Sequence, residues 1–72
     1  MMFSGSPSQT GRREKELLER ALAINEREFG PDHVYVATTL TNLGTAHGDL
    51  GDPRRKKELL ERALAINERE YG

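Results

Sequence analysis

Leucine, isoleucine and alanine recur three and four residues apart along much of this chain, and most of the residues between them are charged. From Arg12, the positions Leu17, Leu18, Ala21, Leu22 and Ile24 fall at helical spacings on one side, leaving Glu16, Glu19, Arg20, Glu26 and Arg27 for water. An amphipathic helix over about 12–29 is predicted. Glu16 and Arg20 stand acid before base four apart, worth only ~0.2–0.5 kcal/mol. Phe29-Gly30-Pro31 supplies the stop.

The next segment, Asp32 to Asp49, carries two competing signals. Val34, Tyr35, Val36, Thr38, Thr39 and Thr41 are β-branched or aromatic and favour a strand. Val36, Leu40, Leu43, Ala46 and Leu50 recur at three or four residues, and Asp32 after Pro31 is placed to cap a helix. The longer-range periodicity decides for a helix over about 33–49. Gly48, Gly51 and Asp52-Pro53 then mark a turn, with Asp52 as N-cap and Pro53 at the first helical position, where its missing N–H costs nothing. A third helix is predicted over about 53–71.

That third helix repeats the first. KELLERALAINERE runs from Lys15 to Glu28 and again from Lys57 to Glu70, and the segments 15–30 and 57–72 differ only at Phe29 against Tyr71. The offset of 42 residues marks a repeat array. Met1 to Thr10 is rich in Ser, Gly and Pro without periodicity, so residues 1–11 are expected to be a flexible leader or expression remnant and 12–72 the folded unit.

Composition narrows the class. A chain of 72 residues forms one small domain in the size range where a single core is barely self-sufficient. Hydrophobic residues are 35% and charged residues 32%, which suits a water-soluble chain that still buries a core. No apolar run approaches the ~20 residues of a membrane span, and the start lacks the features of a signal peptide. Cysteine is absent, which removes disulfides and thiolate chemistry and fits the cytoplasm as location. Formal charge is −1 with acids and bases interspersed, so neither nucleic acid nor membrane is an expected partner.

The order VATTLTNLGTAHGDLGDPRRKKELLERALAI resembles one full tetratricopeptide repeat, in the 42-residue form found in kinesin light chains and many bacterial repeat proteins. Leu40, Leu43, Gly44 and His47 match helix A of the repeat, Leu60 and Ala63 match helix B, and FGPDH is similar to the loop between repeats. The resemblance covers Arg12 to Gly72 and implies an all-α, antiparallel helix-turn-helix repeat, an α-solenoid fragment with helices in the order B, A, B. Gly44 and Ala63 keep the A and B helices close, while Leu40, Leu43, Leu60 and Leu64 fill the space alongside, each worth ~1.5–3 kcal/mol if fully buried. The chain departs from the family where Lys56 and Glu14 replace a small residue, Pro53 an aromatic, His47 a tyrosine and Val34 a proline. The first two changes are expected to loosen the A to B contact near its turn.

Catalysis finds little support. His33 and His47 are 14 residues apart, ~21 Å along one helix, too far to share a metal or a proton. Their expected roles are a loop or cap residue and a partly buried packing residue. Ser4, Ser6 and Ser8 lie in the leader with no rigid base nearby. No catalytic residue, metal or cofactor is expected. Arg54 to Lys57 form a basic run without interleaved aromatics, and Glu58 and Glu61 follow at once, so a solvated helix end outranks a phosphate-binding patch.

Two surfaces remain. Thr38, Thr41, Asn42, Thr45 and Asp49 form a polar strip on the middle helix; the family resemblance places this face in the concave groove, with Asn42 at a position whose amide holds a peptide backbone. The second surface follows from stoichiometry. One and a half repeats fall short of the three or so that bury one another's apolar faces, so Leu17, Leu18, Leu22, Leu59, Leu60 and Leu64 are candidates for self-association. The leading expectation is a fragment of a protein-binding repeat scaffold, natural or engineered, that pairs with itself as a two-fold dimer or by helix exchange. The alternative is a monomeric module that binds a protein or peptide in the helix A groove.

Overall fold

Between Val34 and Asp49 the competing signals resolve in favour of helix. The computed structural model describes residues 7–71, with side chains for 12–71. Its elements are α1 (Pro7–Phe29), α2 (Val34–Asp49) and α3 (Pro53–Tyr71), and no strand occurs among the described residues. The fold is the all-α repeat fragment that the sequence implies.

In α2, burial overrides the β-propensity of its composition. Thr38, Thr39, Thr41 and Thr45 each donate a hydroxyl to the carbonyl four residues earlier, at 3.2, 3.1, 3.0 and 3.2 Å, so no hydroxyl competes with the helix for a partner elsewhere. Val36, Ala37, Leu40, Leu43 and Ala46 come out at 0–2% exposure, and burial on this scale outweighs the tenths of a kcal/mol separating helix propensities.

Local chemistry sets the boundaries. α1 begins at Pro7 rather than Arg12, so residues 7–11 of the expected leader are helical backbone; residues 1–6 lie outside the described residues. Proline is preorganised for a first helical position, and Gly11 costs the helix only ~1 kcal/mol. Gly30 and Gly51 follow the ends of α1 and α2 with φ of 91° and 86°, a conformation that side chains resist. The cap of α2 is His33, not Asp32: the His33 Nδ1 accepts from the Tyr35 N–H at 3.0 Å. Asp32 instead accepts from Arg69 on α3 at 3.4 Å. Phe29, His33 and Tyr35 hold the same turn, their ring centroids 4.7–4.9 Å apart in stacked and edge-on pairs. Asp52 caps α3 as expected, accepting from the Arg55 N–H at 3.2 Å.

The core is one cluster: Val36, Ala37, Leu40 and Leu43 of α2 with Leu59, Ala63 and Ile66 of α3, and Leu18 and Leu22 of α1 packed against it. Along α2 and α3, Gly44 faces Leu60 and Gly48 faces Lys56, so the two helices run antiparallel. A methyl on Gly44 would meet Leu60 and the Lys56 carbonyl oxygen at 3.4 Å. Lys56 was expected to loosen this contact. Its stem instead lies over Gly48, where an added methyl would come within 2.7 Å of the Lys56 Cδ; a missing side chain on α2 accommodates the long one on α3.

The two identical helices use different faces. In α3, Leu59, Ala63 and Ile66 are each 3% exposed and Leu64 is 57% exposed. In α1 the pattern inverts: Leu17 and Ile24, equivalent to Leu59 and Ile66, are 58% and 57% exposed, while Leu22, equivalent to Leu64, packs on the core. The single apolar side expected for the first helix is therefore two sides, of which α2 covers one. The isoleucine pair tests this packing. In dilute solution, Ile66→Ala lowers stability by about 2–5 kcal/mol, enough to unfold so small a domain, whereas Ile24→Ala costs less than about 1 kcal/mol. Urea unfolding followed by helical circular dichroism makes the comparison; equal losses would contradict the packing.

Candidate functional site

Helical periodicity on α2 leaves one strip to solvent once its two neighbours are in place. Thr38, Thr41, Asn42, Thr45 and Asp49 are all exposed and lie three and four residues apart, as predicted. Because Thr38, Thr41 and Thr45 donate to backbone carbonyls of their own helix, their hydroxyl oxygens retain only acceptor capacity. The Asn42 amide has both donor and acceptor capacity beside them.

The six leucines assigned to self-association divide. Leu59 lies in the core, and Leu18 and Leu22 pack against it. Leu17 and Leu64 are more than half exposed. Leu60 does both jobs: half-buried over Gly44, it also lines an open groove of ≈ 330 Å³ with Pro53, Lys56, Lys57, Glu61 and Leu64. The six leave out Ile24, which the sequence placed on the apolar side of α1 and which shares the exposed face of Leu17, and Tyr71, at 77% exposure.

Patterning also missed the polar contact that orders α1 on α2. The Asn25 amide donates to the Thr39 Oγ1 at 2.7 Å, and Thr39 is 7% exposed. The Thr39 hydroxyl therefore accepts from Asn25 while donating to the Tyr35 carbonyl. An asparagine three residues after Leu22, on the same helix face, was the available signal. Two ion pairs join more distant parts: Arg62 to Glu26 at 2.6 Å and Arg69 to Asp32 at 3.4 Å. Both are exposed enough that each contributes ~0–1 kcal/mol.

The basic run is divided by its surroundings. Arg55 pairs with Glu58 at 3.1 Å, Lys56 lies over Gly48, and Lys57 turns toward the groove. His33 caps α2, and His47 sits in its last turn with Nδ1 3.8 Å from the Asp52 carboxylate. Among the described residues no three His, Asp or Glu side chains gather in a way that could hold a metal ion. No described helix is long and apolar enough to cross a membrane. Ser4 and Ser6, and the side chain of Ser8, lie outside the described residues.

Thr39→Val tests the buried polar contact. It keeps side-chain shape, leaves the Asn25 amide without its acceptor and lowers stability by about 1–2 kcal/mol, read from the urea midpoint; Thr38→Val, on the exposed strip, changes it by less than ~0.5 kcal/mol.

Comparison with curated proteins and with solved structures yields no match. Comparison with protein families matches residues 15–69 to the tetratricopeptide repeat. The match takes in the α1–α2 contact, the Gly44 crossing and the duplicated helix, and the chain belongs to the tetratricopeptide repeat family, whose members are protein–protein interaction scaffolds.

Proposed function

We propose that this chain is a non-enzymatic interaction scaffold that associates with itself through the apolar faces α1 and α3 turn away from α2. One observation carries the reading: the same 14-residue sequence buries Leu59 and Ile66 in one copy and exposes Leu17 and Ile24 in the other, while Leu64 is exposed opposite a buried Leu22. Each copy thus keeps in water a surface whose twin is seated against a helix in the same molecule. The cysteine-free sequence suits work in the cytoplasm.

Magnitudes set the strength. Covering the exposed halves of Leu17, Ile24 and Leu64 returns ~1–1.5 kcal/mol each, against at least ~4 kcal/mol for lost translational and rotational freedom. The association is therefore weak and concentration-dependent. Light scattering on size-fractionated protein shows a mass rising from one chain toward two between micromolar and millimolar concentration. A folded monomer across that whole range sinks the reading.

The exposure of Thr38, Thr41, Asn42, Thr45 and Asp49 together supports a second reading, a monomeric module that holds an extended peptide along α2. The Asn42 amide would bridge a peptide N–H and carbonyl. On this reading Asn42→Ala abolishes capture from a random-peptide display library without lowering helicity, while Leu64→Glu leaves capture unchanged. The reverse pattern excludes it.

A further inference from the structure

We propose that the groove on α3 is closed by α3 of a second copy, lying antiparallel across a two-fold axis. This rests on the self-association reading and names the surface that performs it. Pro53, Lys57, Leu60, Leu64, Asn67 and Tyr71 follow one another at alternating spacings of four and three, the repeat by which one helix meets another along a seam. None of the six belongs to the core cluster, and Leu64 and Tyr71 are 57% and 77% exposed. The α2 contact through Leu59, Ala63 and Ile66 lies about a third of a turn around the helix; it half-buries Leu60 over Gly44 and leaves Lys57, Leu64 and Tyr71 exposed.

The same row has a seated precedent in α1. Lys15, Leu18, Leu22, Asn25 and Phe29 are its equivalents, and there Leu18 and Leu22 pack on the core while Asn25 donates to Thr39. The row thus docks a helix in α1, and in α3 it stays exposed at Lys57, Leu64 and Tyr71. Helix α2 of a second copy is no candidate occupant without rearrangement, because α1 and α3 already cover both its apolar sides.

Charge chooses the partner and its direction. α3 has no acid in its first turn, where Arg54, Arg55, Lys56 and Lys57 cluster, and carries Glu68 and Glu70 near its end, the Arg69 between them being paired with Asp32. Placing Leu60 opposite Leu64 of the second copy brings Pro53 to its Tyr71 and Lys57 to its Asn67. The flanks then set Arg54 beside Glu68 and Lys56 beside Glu70, each pair occurring twice by symmetry. A parallel arrangement sets the basic run against itself. One antiparallel pair opposes association: Glu61, beside the axis, meets Glu61 of the second copy.

That pair provides the test. The chain has no cysteine, so Glu61→Cys places one thiol beside the proposed axis, and Glu19→Cys places one in identical sequence on α1. With a short bis-maleimide linker, Glu61→Cys forms a covalent dimer roughly tenfold faster than Glu19→Cys, because association holds its thiols together. Glu61→Gln lowers the dimer dissociation constant roughly two- to fivefold by removing one exposed like-charge pair. Leu64→Glu keeps full helicity and abolishes association. Equal crosslinking at the two positions overturns the seam. Association lost in Leu17→Glu but kept in Leu64→Glu moves the contact to α1. Association lost in Leu64→Glu without Glu61→Cys crosslinking means that α3 replaces α1 on α2 of the second copy. The last two results overturn the seam and leave self-association standing, whereas a monomer at all concentrations overturns both.

Discussion

Among the described residues, every buried contact between helices passes through α2. Helices α1 and α3 pack on α2 and not on each other, and the Arg62–Glu26 ion pair that links them lies at the surface. One helix of 16 residues must therefore offer apolar surface on two sides and still remain a helix. Its composition is the solution. Ala37, Gly44 and Ala46 keep neighbours near, Val36, Leu40 and Leu43 fill the space beside them, and threonines bond to their own backbone wherever they face water. What remains is the strip of Thr38, Thr41, Asn42, Thr45 and Asp49. The strip is not an independent feature but the residue of a two-sided packing requirement.

The same requirement explains the duplicated helix. A helix that stands between neighbours needs two apolar faces, so Leu17 and Ile24 belong to one face and Leu18 and Leu22 to the other, with Ala21 between. Amphipathic periodicity finds helices because any apolar residue at the right spacing counts. It cannot say which of two adjacent faces is covered, because that depends on which neighbour each copy has. The helices, their order and their ends near Phe29, Asp49 and Tyr71 were legible in local spacing and punctuation. The split of the apolar side was not, since KELLERALAINERE carries the same letters in both places and only α2 breaks the tie.

Polar details show the same division between local and non-local causes. Asp52 and Pro53 cap α3 from within the turn itself, and the cap is readable there. Asp32 is an equally good cap on paper, but Arg69, 37 residues away, takes its carboxylate, and the ring of His33 is held by Phe29 and Tyr35 beside the first turn of α2. Lys56 reads as an obstruction until Gly48 is known to lie beneath it. The polar strip was legible in the candidate site because solvent exposure on α2 follows from spacing. The α3 groove was not, because its walls come from one helix and which of that helix's faces the described residues cover is set by packing.

The two surfaces do not compete. None of the residues of the α2 strip belongs to the row on α3, and the α2-facing side of α3 separates the two. The proposed two-fold contact through α3 uses none of the strip residues and would place two strips in one particle. On the peptide-binding reading, a single helix strip of threonines, one amide and the Asp49 carboxylate would offer an extended peptide only a few hydrogen bonds, each worth ~0.5–1.5 kcal/mol net or ~1.5–3 kcal/mol at Asp49, which is too little to hold a partner tightly alone. Two strips in one particle convert the second encounter with a repetitive partner into an intramolecular one, and the gain can reach about 10²–10⁴ without any new contact. On that argument the proposed pairing through α3 would add to this tetratricopeptide-repeat scaffold the surface that one strip lacks.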